Sequence, residues 1–256
     1  MLKNEHMEDQ KSELTTDEYV FLGITHIGLV RKSNADRYLI RELADKSILV
    51  SVADGLGDGS AGEIASDIII QKLAGLNSVP GNYIQPILEK LASDLDQTVF
   101  SKSQEDMSLA GMGSTLICVL LQNQTAHWVH VGDSRLYLYR NNTLSQVNID
   151  QTLARFLFKE GEITEEQLPT HYSREVMDQY IGCGYAEPET GFFNLLWGDI
   201  LILSSDGLHG GIADTTMNSI LTQETSLEDK AKSLVKAALE AGGDDNITLV
   251  IAQIKQ

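Results

Sequence analysis

The chain has 256 residues, 42% of them hydrophobic, enough to build the core of one large α/β domain. Its formal net charge of -18 repels nucleic acid and anionic lipid, so neither is expected as a partner. Two cysteines, Cys118 and Cys183, stand in no ligand-spaced motif, which excludes a disulfide framework and leaves buried free thiols in a reducing compartment.

Residues 1–18 are polar, lack the apolar stretch of a signal peptide, and read as an N-terminal tail before a single domain over 19–256. No apolar run approaches the roughly 18 residues of a membrane span, so a soluble cytoplasmic protein without membrane contact is expected. The β-rich run 47–53 (SILVSVA) ends at Asp54-Gly55. Residues 59–76 place Ile64, Ile68 and Ile69 at helical spacing. Residues 83–100 put Ile84, Ile87, Leu88, Leu91 and Leu95 on one face of a second helix. Strands at 114–121, 125–131 and 135–140 follow, with tight polar separators at Gln122-Asn123-Gln124, Gly132-Asp133-Ser134 and Asn141-Asn142; this pattern predicts an antiparallel meander.

Segment 150–180 changes character. Residues 152–160 read as a helix stopped by Gly161, and Thr164-Glu165-Glu166-Gln167 opens another with a capping box, so a helical insertion over the sheet is expected. Strands at 192–197 and 200–204 flank Gly198-Asp199. Ser226 caps a helix with Ala231, Leu234, Val235, Ala238 and Leu239 on its apolar face, Gly242-Gly243 end it, and 247–253 is a final strand. These elements predict an α+β fold of two antiparallel sheets packed as a central sandwich, with helices on both outer faces in four layers, α-β-β-α.

Acidic residues recur at the strand borders. Asp54, Asp206 and Asp245 each adjoin a hydrophobic strand, Asp244 precedes Asp245, Asp133 sits in a tight turn, and Asp36 lies just before the strand-like 38–40. Taken singly, each is an ordinary turn or cap residue. Converging together, such carboxylates would raise one another's pKa unless cations neutralised them, and hard oxygen donors suit Mg²⁺ or Mn²⁺.

Six stretches carry a resemblance. Gly28 to Arg37 (GLVRKSNADR), Val52 to Ser66 (VADGLGDGSAGEIAS), Met112-Gly113-Ser114-Thr115, Val131 to Arg135 (VGDSR), Leu203 to Leu208 (LSSDGL) and Asp244-Asp245-Asn246-Ile247-Thr248 together resemble, in order, the motifs of the PPM, or type 2C, metal-dependent Ser/Thr protein phosphatases of bacteria. The resemblance spans residues 20–254. It implies hydrolysis of phosphoserine and phosphothreonine by in-line attack of water activated at a site of two Mn²⁺ or Mg²⁺ ions and a third. In that scheme Asp54 bridges the core pair, the Gly55 carbonyl ligates one of them, Asp206 and Asp245 ligate the same pair, and Asp36 acts through water. Asp133 with Asp206 holds the third ion, Arg31 grips the substrate phosphate, and 150–180 is the family's flap. Catalysis then rests on Arg31, Asp54 and Asp206.

The implied partners are phosphorylated proteins, opposite a bacterial Ser/Thr kinase, with the enzyme a monomer. Ala35 stands where bacterial relatives carry Glu or Gln, and Asp58-Gly59 replaces a more usual Gly-His. Leu56 occupies the position of a proposed general acid, which leaves His171 and His209 as candidates to protonate the leaving group. His127 and Trp128 read as packing residues. Two other functions fit the same fold: a pseudophosphatase serving as a regulatory binding module, and a small-molecule phosphoester hydrolase.

Overall fold

Two sheets hold most of the strands in the computed structural model of the chain, which describes residues 10–57, 60–81, 83–174 and 176–255. The order along the chain begins with β1 (Gln10–Thr15), β2 (Tyr19–His26), β3 (Arg37–Glu42), β4 (Ile48–Ala53) and the two-residue β5 (Gly55–Leu56). Helices α1 (Ala61–Ala74) and α2 (Ile84–Glu105) follow, then β6 (Gly113–Ser114), β7 (Leu116–Gln122), β8 (Thr125–Val131), β9 (Arg135–Arg140) and β10 (Thr143–Gln146). Helix α3 (Leu153–Lys159) and a 3-10 turn over Glu165–Thr170 make up the insertion. The chain closes with β11 (Glu189–Asn194), β12 (Ile200–Ser204), α4 (Asp206–His209), α5 (Asp214–Leu221), α6 (Leu227–Glu240) and β13 (Ile247–Ile254).

One sheet runs β1-β2-β13-β12-β9-β10 and the other β11-β8-β7-β4-β3, with every neighbour antiparallel. Strand β4 shows why the layers form. All six of its residues are buried, because Leu49 and Ala53 face α1 and α2 while Ile48, Val50 and Val52 face the other sheet. A second outer core lies between the first sheet and α4, α5 and α6, where Ala231, Leu234, Val235 and Ala238 supply the α6 stripe. The expected four-layer α-β-β-α sandwich is the fold observed. Cys118, in β7, is fully buried, and burial pushes its thiol up to about 12; Cys183 is buried too, with its pKa raised first by desolvation.

Two expectations are corrected. Residues 1–18 are not all tail, since Gln10–Thr15 forms edge strand β1, paired along its length with β2; residues 1–9 lie outside the described residues. Its mostly exposed, polar side chains hide the strand signal, and the backbone ladder supplies the pairing. The meander breaks after its second strand: β8 pairs with β7 and β11, whereas β9 pairs with β10 and β12. Gly132-Asp133-Ser134 is therefore a crossing between sheets, with Gly132 at φ 106. Asn141 and Asn142, both at positive φ, do turn the chain back, into β10, a strand too short and polar to be read in advance. The capping box at Thr164 and Gln167 and the Ser226 cap form as expected.

The segment after the insertion is tied to α2 by one carboxylate. Buried Asp96 accepts backbone N–H groups of Gly182 (2.7 Å), Gly184 (3.1 Å) and Ala186 (3.3 Å). Truncation would leave those donors unmet, so Asp96→Ala should cost about 2–4 kcal/mol of folding stability. Urea denaturation measures this, and a loss indistinguishable from zero would show that the anchor is dispensable.

Candidate active site

Five aspartates from separate parts of the chain meet at one end of the sandwich. Asp54 follows β4, Asp36 precedes β3, Asp206 opens α4 just beyond β12, Asp245 precedes β13, and Asp133 lies in the crossing from β8 to β9. Strand ends are stiff, and local hydrogen bonds fix each one. The N–H of Asp54 donates to Thr115 Oγ1 (3.0 Å) and its carbonyl accepts from the Thr115 N–H (2.8 Å). Thr115 Oγ1 in turn shares a hydrogen bond with Ser134 Oγ (2.7 Å), so the Asp54 and Asp133 turns are held as a unit. Across the sandwich, Ser205 Oγ donates to Asp36 Oδ2 (2.7 Å) and accepts from the Thr248 N–H (3.0 Å). Asn246 staples the Arg31 loop to β13: its Oδ1 accepts from the Ala35 N–H (2.8 Å) while its Nδ2 donates to the carbonyls of Ile27 (2.9 Å) and Ser33 (3.0 Å).

Two glycines are there for close approach. A Cβ at Gly55 would stand 2.2 Å from the Gly62 carbonyl oxygen of α1, and one at Gly207 would stand 1.9 Å from the Asn246 carbonyl oxygen. Any side chain at either place would push apart the segments that bring Asp54 and Asp206 together.

The electrostatics are those of crowded anions. Burial, then the charges of Asp206 and Asp245, raise Asp36 to about 7 against the pull of hydrogen bonds from Ser205 and Thr248. Burial raises Asp54 well above the usual carboxylate range, reinforced by Asp36, Asp206, Asp133 and Asp245. Burial and then Asp206 and Asp150 raise Asp133 to about 7. Asp206 is raised by burial and then Asp245, and partly relieved by a hydrogen bond with Asp54. One oxygen each of Asp36, Asp133 and Asp206 is buried with no hydrogen-bond partner. Crowded, partly desolvated carboxylates with buried orphaned oxygens are a donor set that a hard cation completes, and hard oxygen donors select Mg²⁺-like or Mn²⁺-like ions. Among the described residues no three acidic, His or Cys side chains form a ready-made cage; ions that keep several waters of their own do not need one.

Arg31 lies on the rim, more than half exposed, with Nη2 2.6 Å from Asp245 Oδ2. The hydrogen bond it donates to Asp245 is the main cause of its raised pKa. Beside the aspartates opens a cavity of about 930 Å³, lined by Asp133, Asp206 and Asp245 together with Arg155, Leu168 and Arg174 of segment 150–180. The base of that segment is bolted to the Asp133 crossing. Gly132 and Gln151 exchange hydrogen bonds (2.8 Å each), and Arg135 grips Asp150 at 2.7–3.0 Å.

All the predicted site residues, Arg31, Asp36, Asp54, Gly55, Asp133, Asp206 and Asp245, fall in this one region. The two histidines differ in fate. His171 bonds Ser173 (2.7 Å) and does not line the cavity. His209 lines it, partly buried, bonded to Ser204 Oγ (3.0 Å) and to the Asp133 backbone, and desolvation with Arg135 nearby holds its pKa well below the usual value. A neutral imidazole that spans two site turns is a brace. The sequence reading missed Thr115, Ser134, Thr248 and Asn246 as supports. Each adjoins or belongs to a motif, but hydroxyl and amide pairing between distant segments leaves no mark in spacing. Asp58-Gly59 lies outside the described residues.

A family model described as Protein phosphatase 2C matches residues 26–246. The Ser/Thr phosphatase stp of Listeria welshimeri serovar 6b is 32% identical over 235 residues, covering 90% of this chain and 93% of that protein. The crystal structure of the Mycobacterium tuberculosis Ser/Thr phosphatase PstP superposes with a TM-score of 0.84 at 31% identity, over 93% of this chain and all of that one. The catalytic domain of PstP in complex with two manganese ions gives a TM-score of 0.81 at 30% identity, over 93% and 99% of the two chains.

The crowding makes a signed prediction. Asp133 holds its proton to about 7 when folded but releases it near 3.9 when unfolded. Below the unfolded value both states are protonated and nothing is lost. Between the two values the unfolded state alone ionises, so stability falls as pH rises, and above about 7 the loss is complete. With metal chelated, Asp133→Asn should therefore melt with wild type at pH 4 and above it at pH 7.5, whereas Mn²⁺ should narrow or reverse the gap. Thermal melts in EDTA and in Mn²⁺ test this; a variant less stable than wild type in EDTA at pH 7.5 would contradict the crowding.

Proposed function

Because this chain belongs to the protein phosphatase 2C family, and so is a phosphatase, we propose that it removes phosphate from phosphoserine and phosphothreonine in proteins at a divalent-metal site. The observation that carries this reading is the aspartate cluster with one buried, orphaned oxygen on each of Asp36, Asp133 and Asp206. Asp54, Asp206, Asp245 and the Gly55 carbonyl would hold two core ions, Asp36 would act through water, and Asp133 with Asp206 would hold a third. Ions bound there supply an acidified water at neutral pH and a clamp on the phosphoryl oxygens.

The chain's own groups do the rest. The braces at Thr115, Ser134, Ser205 and Asn246 keep the carboxylates in register before any ligand arrives. Arg31 presents a planar, multiply donating guanidinium to phosphate oxygens. Its present partner, Asp245, is also a proposed ligand, so an ion held by Asp245 would leave Arg31 available to substrate. The leaving oxygen has no adjacent imidazolium, since Leu56 is apolar and His209 is held neutral; water takes that task. The net charge supports a cytoplasmic enzyme kept off membranes and nucleic acid. Among the described residues no helix is long and apolar enough to cross a membrane. The enzyme acts as a monomer and opposes a Ser/Thr kinase.

Wild type should release phosphate from phosphothreonine peptides with Mn²⁺ and not in EDTA, and Asp54→Asn should lower kcat by about 10³-fold or more with the fold intact. Near-normal turnover by the variant would sink the metal assignment. Turnover of p-nitrophenyl phosphate without peptides would mark a small-molecule hydrolase, and no turnover of either a binding module.

Arg31→Ala should reduce kcat/KM by about 2–4 kcal/mol while calorimetry finds the same number of metal ions per chain. Loss of bound metal with an unchanged KM would make Arg31 a structural residue.

A further inference from the structure

The cavity carries a cation that the proposed reaction does not use. Arg155, on α3, lines the same 930 Å³ space as Asp133 and Asp206. Four other arginines each hold a carboxylate. Arg31 pairs with Asp245, Arg37 with Asp67, Arg135 with Asp150 and Arg140 with Asp199. In a chain with 37 acidic residues against 19 basic ones, no carboxylate among the described residues pairs with Arg155, and its Nε is buried without a hydrogen-bond partner. A buried donor left unmet costs folding stability unless a ligand completes it.

The guanidinium is also held in place. Its carbon lies 5.2 Å from the centre of the Phe158 ring, one turn along the same helix. That contact covers one face and leaves the N–H edges for a planar acceptor. The helix itself is fixed to the site, because Leu153 N–H donates to the Val176 carbonyl (2.7 Å) and the Gln151–Gly132 pair ties its base to the Asp133 crossing. The same cavity is lined by the acidic Asp133, Asp206, Asp244 and Asp245, with Arg135, already paired to Asp150, and Arg174 among its other residues. A carboxylate entering with a substrate is repelled by the aspartates and attracted at Arg155. The volume is at the upper end of ligand pockets, room for a phosphorylated side chain and a neighbouring one.

We propose that Arg155 forms a second anion subsite, which takes the carboxylate of an Asp or Glu side chain close to the phosphorylated residue of the substrate protein. This inference rests on the protein-phosphatase reading above. It makes segment 150–180 the source of sequence preference in a reaction whose chemistry lies elsewhere.

The test uses isomeric phosphothreonine peptides of identical composition, with one Asp either adjacent to the phosphothreonine or at the far end, and a neutral peptide as reference, all with the full chain in Mn²⁺. Wild type should favour the adjacent-Asp isomer by about tenfold in kcat/KM, mostly through KM. Arg155→Gln should level the isomers while leaving the neutral peptide's turnover unchanged, and Arg155→Glu should turn the preference towards a Lys isomer. Equal rates for the two isomers in wild type, or a preference that survives in Arg155→Gln, would overturn the subsite. So would a preference for a second phosphate that an Asp does not share. A variant that loses the neutral peptide equally would make Arg155 a support of the helix, and the proposal falls. Failure of wild type on every peptide refutes the phosphatase reading itself, an outcome distinct from failure to discriminate.

Discussion

Repulsion among Asp36, Asp54, Asp133 and Asp206 sets the terms for the rest of this molecule. Carboxylates left to themselves move apart or move into water. Here Asp36 is buried and Asp54, Asp133 and Asp206 are partly buried, because each adjoins a strand whose remaining residues are locked in a core. The cores oppose that repulsion, and hydroxyl and amide braces keep the side chains from turning away. Cations entering such a site would relieve the repulsion.

Neither sheet could build it alone. Asp36 and Asp54 adjoin strands of one sheet, Asp206 and Asp245 adjoin strands of the other, and Asp133 lies where the chain passes between them. The hydrogen bonds that matter most, Ser205 to Asp36 and Thr115 to Ser134, join residues on either side of the sandwich. Docking of the sheets through Phe21, Val50, Ile117 and Leu203 is thus the same event as assembly of the carboxylates. The insertion joins this frame through Gln151 and Arg135, so its position follows the Asp133 crossing.

Much of this was legible in the sequence. Helical stripes at Ile64, Ile68 and Ile69 and on α6, the cap at Ser226 and the box at Thr164 are local signals, and local physics decides them. The aspartates were legible because each sits beside an apolar run. What stayed hidden is long-range. The separator Gly132-Asp133-Ser134 looks like any hairpin turn, and only the partners of β8 and β9 reveal a crossing. Strand β1 is polar and gains its place from β2 alone. The pairing of Arg31 with Asp245 joins residues 214 apart in the chain, and no spacing rule reaches that far.

Both cysteines are buried, with thiols pushed above their ordinary range. Alkylating reagents and peroxide act on thiolate, which neither residue offers at neutral pH. The chain is in effect already a cysteine-free background for spectroscopy. A single cysteine placed on an exposed position of segment 150–180, such as Glu162, would be the one thiol a maleimide dye finds first, and its signal would report on that segment without any prior substitution of Cys118 or Cys183.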